Sequence, residues 1–126
     1  MFEKYLVAKL RLNTLYHNIL QSAFGMSMGA VWQHMTVELL ELSCGNPDRV
    51  DIFFSLLECF ILAGDIKLAC DGTFLSGSIP DQLNILKAAW PKEPGEDDLD
   101  GFGFWFLAEA PAGIVWIDSD GKEFWT

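Results

Sequence analysis

Asn46 to Gly64, reading NPDRVDIFFSLLECFILAG, is the stretch whose interpretation decides the fold. Asn46 is a good N-cap, and Pro47 falls at the first helical position, where its missing N–H costs nothing. Asp48 lies in the first turn, against the positive end of the helix dipole. Gly64 stands where a left-handed residue would close the helix. Between these marks the polar positions Asp51, Ser55 and Glu58 recur at i, i+4, i+7 and form one narrow stripe. Val50, Ile52, Phe53, Phe54, Leu56, Leu57, Phe60, Ile61 and Leu62 occupy most of the remaining circumference. A helix apolar over most of its surface is a buried one. The stretch therefore predicts a central helix over residues 47–63 with other elements packed around it.

Immediately after it, Ile66–Cys70 and Thr73–Leu75 flank Asp71-Gly72, and Asp-Gly between apolar runs is the mark of a type I′ hairpin. Ser78 then opens SIPDQLNILKAAWP as an N-cap, with Asp81 three residues on in the arrangement of a capping box. Pro80 is tolerated in the first turn, Ile79, Leu83, Leu86 and Trp90 share one face, and Pro91 ends the helix. Residues 91–101, PKEPGEDDLDG, hold two prolines, two glycines and five carboxylates, a loop by composition. Beyond them the period changes. Phe102, Phe104 and Phe106 alternate with Gly103, Trp105 and Leu107, then come Ile114–Ile117 and Lys122–Trp125, separated by turn residues. These three segments predict a three-strand meander, apolar on both faces and so either covered on both sides or open to a partner.

Towards the N-terminus, residues 2–24 place apolar side chains mostly at helical spacing, and Asn13-Thr14 leaves open one helix or two. GMSMGAVWQHM, residues 25–35, reads as a loosened segment anchored by Trp32, and Thr36 as the cap of a short helix through Leu42. The fold class expected is α+β: N-terminal helices and a buried central helix packed on a small antiparallel sheet, made of a hairpin and the C-terminal three-strand meander. The absence of a linker or repeat assigns residues 1–126 to a single domain.

A chain of 126 residues can bury roughly two-thirds of its unfolded surface, so it folds without metal or disulfide. Its 51% hydrophobic content excludes disorder as the main state. Charges threaded through MFEKYLVAKLRLN break up the apolar core of a secretory signal, and no run reaches the roughly 18 uncharged apolar residues of a membrane span. A cytoplasmic location is expected. Cys44, Cys59 and Cys70 are odd in number with no CxxC pair, so reduced, largely buried thiols are expected. His17 and His34 are too few for a zinc site.

Charge discriminates more sharply. The formal net charge is −10, with four basic and six acidic residues in 1–63 against four and twelve in 64–126, so −8 of it lies in the second half. Such a field repels nucleic acid and anionic lipid and attracts basic partners. The bland alternative is that acidity only keeps an aromatic-rich chain soluble. Trp105, Trp116 and Trp125 have no basic neighbours with which to bind nucleic acid, and core packing is the commoner role for such residues.

Catalytic patterns fail one by one. The glycines of residues 25–29 lack the GK[ST] of a phosphate loop, and GxSxG is absent. Aligned to a calcium loop, Glu96, Asp98, Asp100 and Gly101 fit positions one, three, five and six, but the bidentate glutamate of position twelve falls on Leu107. Neither a metal site nor a cofactor is expected, and the chain reads as a non-enzyme. Two alternatives stay open: a small metal-dependent hydrolase using Asp97, Asp98, Asp100 and Asp118, and a structural or regulatory homodimer joined through the aromatic strands.

DIFFSLLECFILAGDIKLA, SGSIPDQLNILKAAWP and WFLAEAPAGIVWIDSDGKEFWT, with the AWP after a helix and the terminal DGKEFWT, resemble a family of small uncharacterised bacterial proteins, a domain of unknown function. The resemblance covers residues 46–126. It implies a gene position beside large secreted toxins, as for an immunity protein, and brings no catalytic residues with it. Combined with the acidity, it leads to the expectation of a binding protein that neutralises a basic protein partner. The partner-binding residues expected are Glu96, Asp97, Asp98 and Asp100, with Trp105 and Trp125 as aromatic anchors at the edge of the patch.

Overall fold

The computed structural model describes residues 2–42 and 49–126, with side chains described at residues 13–40 and 49–126. The central helix is present as α3, Arg49–Ala63. Its expected N-terminal signals, Asn46, Pro47 and Asp48, lie outside the described residues. Its C-terminal signal is met in full: Gly64 has φ +81°, its N–H donates to the Ile61 carbonyl, and the Asp65 N–H donates to the Phe60 carbonyl. This pair of bonds is the Schellman closure, which satisfies two carbonyls that the helix cannot. Phe53, Phe54, Leu56, Leu57 and Phe60 are buried, whereas Asp51, Ser55 and Glu58 are exposed. The narrow polar stripe thus faces solvent, as do Leu62 and Ala63 at the helix end, while the rest of the helix packs against both N-terminal helices, α4 and the sheet.

Residues 2–23 form one helix, α1 (Phe2–Ala23), with no break at Asn13-Thr14. Leu15, Ile19 and Ala23 point into the core at successive turns. The second helix is longer than expected. Residues Met28–Leu42 are continuous as α2, and Thr36 is interior, not a cap. Ser27 is the cap instead, its Oγ accepting the Ala30 N–H at 3.3 Å. Thr36 spends its hydroxyl on the Trp32 carbonyl one turn back. Met28, Val31, Trp32, Met35 and Leu39 are buried, a helical stripe that runs straight through the glycine-containing segment. Gly29 has a packing reason: a Cβ there would come within 3.2 Å of the Phe106 Cβ.

The sheet holds β1 (Ile66–Cys70), β2 (Thr73–Phe74), β3 (Gly113–Ile117) and β4 (Glu123–Trp125) in the order β2-β1-β3-β4, antiparallel throughout. Asp71 and Gly72 both have positive φ, 51° and 79°, as the type I′ hairpin requires. Between β2 and β3 runs α4 (Ile79–Ala89), with both bonds of the Ser78–Asp81 capping box in place. Ile66 and Leu68 pair with Trp116 and Ile114 and are buried, and the Phe60 ring of α3 meets the Trp116 indole edge-on at 5.5 Å. On the other face Val115 pairs with Trp125 and Ala69 with Phe74, and the indole of Trp125 stacks on the Phe74 ring at 5.1 Å.

The α+β class therefore holds, but the first strand of the expected meander does not form. Gly101 and Gly103 adopt left-handed φ, +62° and +64°, which a strand cannot contain. The N–H groups of Gly103, Phe104 and Trp105 donate back to the carbonyls of Asp100, Asp97 and Asp98, folding the segment onto the acidic loop. Trp105–Glu109 then makes a π turn, closed by the Ala110 N–H on the Trp105 carbonyl at 2.7 Å. The cysteines also depart from expectation. Cys70 is exposed beside the hairpin turn and Cys59 half-buried, while Cys44 lies outside the described residues. Burial pushes the Cys59 thiol up, helped by the carboxylate of Glu58.

Candidate partner-binding surface

The six residues expected to meet a partner divide into two groups. Glu96 and Asp97 are exposed at the tip of the loop between α4 and the π turn. Asp98 is half-buried, its carboxylate accepting the Gly95 N–H at 2.7 Å, so it shapes the loop as much as it charges it. Asp100 is an anchor. Its two oxygens take the Arg49 guanidinium in a bidentate pair at 2.9 and 3.2 Å, and one of them also accepts the Trp32 indole N–H at 3.1 Å. Arg49 lies over the Trp32 ring at 4.8 Å, and Gln33 donates to the Gly101 carbonyl. The Arg49 hydrogen bonds hold the Asp100 carboxyl below its usual range, with a smaller contribution from Trp32. The loop is therefore pinned to α2 and to the start of α3 at its C-terminal end.

Trp105 is a core residue, 1% exposed, with its indole N–H on the Ala89 carbonyl. The expectation of a surface anchor there is corrected: the π turn rotates Trp105 inward against Trp90 at 4.7 Å and Phe106 at 5.2 Å. Trp125 is half exposed and its N–H reaches Glu123. Phe102, Phe104 and Leu107 are exposed by 73%, 52% and 74%, large apolar side chains displayed directly after the acidic tip. Sequence reasoning placed them in a strand and missed their display. The left-handed glycines on either side of Phe102 were the signal that could have found them.

Clustered carboxylates are not gathered into a ligand set. Asp118 closes the β3–β4 turn, accepting the N–H groups of Asp120 and Lys122. Among the described residues no group of three or more His, Cys, Asp or Glu side chains is placed to hold a metal ion. No helix among them is long and apolar enough to cross a membrane. Tyr16 donates its hydroxyl to the Asp65 carboxylate, and the phenol is pushed up to about 12 by burial, by that hydrogen bond and by the neighbouring charge. It latches α1 to the residue that links α3 and β1.

The family model for DUF596, a protein of unknown function, matches residues 61–126, and the chain belongs to that family. No curated protein matches it. Among solved structures it is similar to an uncharacterized protein conserved in bacteria, from Neisseria meningitidis, at 24% identity over 98% of this chain and 95% of that one, with a TM-score of 0.71. That likeness shows a shared fold.

Proposed function

We propose that this DUF596 protein is a non-catalytic binding protein that neutralises a basic protein partner, as an immunity protein does a toxin domain encoded beside it. The observation that carries the reading is the pairing of exposed Glu96 and Asp97 with exposed Phe102 and Phe104 on one pinned loop, in a chain of net charge −10. Carboxylates steer a basic partner and speed its association, but desolvated aromatic contacts supply most of the affinity. A toxin that acts on nucleic acid must itself be basic to hold phosphates, so an acidic inhibitor can cover the same surface. Pinning matters because a loop ordered before binding loses less entropy on binding. Asp98 and Asp100 serve this reading as supports for the loop, and Trp105 as the core residue beneath it.

Co-expression tests it. The C-terminal domain of a large secreted protein encoded next to this gene, if basic, should arrest growth alone and be tolerated when this protein is present. Glu96→Gln with Asp97→Asn should weaken that protection without unfolding the protein. Only metabolic genes in the neighbourhood, with no protection from any adjacent product, would overturn the reading.

A further inference from the structure

Two clefts lie side by side on the surface that carries the π turn. One, of about 380 Å³, runs between the β1–β2 hairpin and residues 110–115, with Asp71 and Trp125 in its wall. The other, of about 330 Å³, runs between the start of α2 and the turn, walled by Met28, Gln33 and Phe102. Phe106 and Leu107 line both, as do Ala112 and Gly113. Leu107, 74% exposed, is thus the ridge between the two hollows, with Phe102 at one end of the band and Trp125 at the other. Both clefts are open troughs, which suit side chains presented by a partner better than a free small ligand, most of whose surface a site normally buries.

The charged side chains in or next in sequence to the band are mostly acidic. Among the described residues lining either cleft Asp71 is the one charged side chain. Glu96 and Asp97 precede Phe102, Glu109 follows Leu107 by two residues, and Glu123 holds the Trp125 indole. Lys67 is a cation beside it, and its ammonium lies over the Phe74 ring that stacks on Trp125. A second copy of this chain would bring another net charge of −10 against the same rim, and nucleic acid or an anionic bilayer would be repelled in the same way. A basic polypeptide with apolar side chains matches both the hollows and the rim.

We infer that this band docks a basic segment of the protein partner, seating an apolar side chain in the cleft on each side of Leu107 while lysine or arginine groups of the segment meet the carboxylate rim. The inference rests on the reading of the protein as a binder of a basic partner. It places the affinity in the clefts and leaves the acidic tip to govern the approach.

Fluorescently labelled synthetic peptides test the two separately: one of alternating lysine and leucine, one of lysine and serine, and one of glutamate and leucine. The lysine–leucine peptide should bind, the lysine–serine peptide should bind more weakly, and the glutamate–leucine peptide should not bind. Leu107→Ser and Phe102→Ser should each weaken the lysine–leucine complex by about tenfold or more, as loss of a central apolar contact does. Circular dichroism and thermal melting would verify that both variants fold. Equal binding of the two lysine peptides, unaffected by Leu107→Ser, would overturn the docking band yet leave the acidic-surface reading standing. Failure of both lysine peptides to bind would overturn both. Sedimentation that shows a dimer dissolved by Leu107→Ser would overturn the band's assignment to a basic partner and give it to a second copy.

Discussion

Residues 102–107 and 114–117 look alike in sequence, each apolar on both faces, yet one is a tight turn and the other a strand at the heart of the sheet. Ile114–Ile117 has partners on both sides: β1 on one edge and β4 on the other. Phe102–Leu107 has none, because the N–H groups of Gly103, Phe104 and Trp105 are taken by the acidic loop just before it and that of Leu107 by the Gly103 carbonyl. The difference teaches that alternation specifies a strand only where the backbone can stay extended. Two left-handed glycines are enough to turn the same aromatic pattern into a display of side chains, half buried beneath the turn and half offered to solvent.

The largest effects should come from the inward halves of both segments. Trp116→Ala in β3 and Trp105→Ala in the π turn should each cost about 3–5 kcal/mol in urea unfolding, since both indoles are buried among other rings. A loss under about 1 kcal/mol at Trp105 alone would return that residue to the surface and break the contrast between the two sides of the turn. Next come the glycines. Gly103→Ala should cost about 1–2 kcal/mol, the strain of a Cβ at φ +64°. Gly113→Ala, at the start of β3 with negative φ and open space around it, should stay within about 0.5 kcal/mol. Equal costs would mean that the turn is not held left-handed.

The two regions should also loosen at opposite ends of the pH scale. The Asp100 carboxyl is depressed, so its contribution is present above the ordinary carboxylate range, about pH 4, and is lost as pH falls through its lower folded value. Asp100→Asn should flatten that acid-side loss and free the turn. The Tyr16 phenol is raised to about 12, so its latch onto Asp65 is intact below about pH 10 and lost as pH rises through 12. Tyr16→Phe should remove this alkaline loss. Asp65 also receives the Ile117 N–H, so the alkaline change should be felt at the strand side of the molecule. Stability measured against pH for both variants would check the signs. Smallest of all, Leu107→Ser should leave stability within about 0.5 kcal/mol, because the side chain is 74% exposed.

Local signals were the legible ones. Gly64, Asp71-Gly72 and Ser78 with Asp81 each act over a few residues, and each does what its chemistry requires. The buried face of α3 was legible too, because its polar stripe is narrow. What escaped depends on distant partners. Gly29 reads as a break until Phe106 is seen to pack against it, 77 positions later, and α2 then runs through it. Asp100 reads as one of several loop carboxylates until Arg49 and Trp32 are found beside it. Of the expected site, the carboxylates Glu96 and Asp97 are exposed and Trp125 is half exposed. Trp105 is buried, since the π turn brings it inward beside Phe106, its neighbour in sequence, which a strand would have put on the opposite face.

The central claim is that exposed carboxylates on a pinned loop bring in a basic protein. Its most direct measurement is the association rate with the basic domain encoded beside this gene, taken across ionic strength. The wild-type rate should fall steeply as salt rises, and Glu96→Gln with Asp97→Asn should slow association at low salt and flatten that dependence, leaving dissociation nearly unchanged. A rate independent of salt and identical in the variant would contradict it.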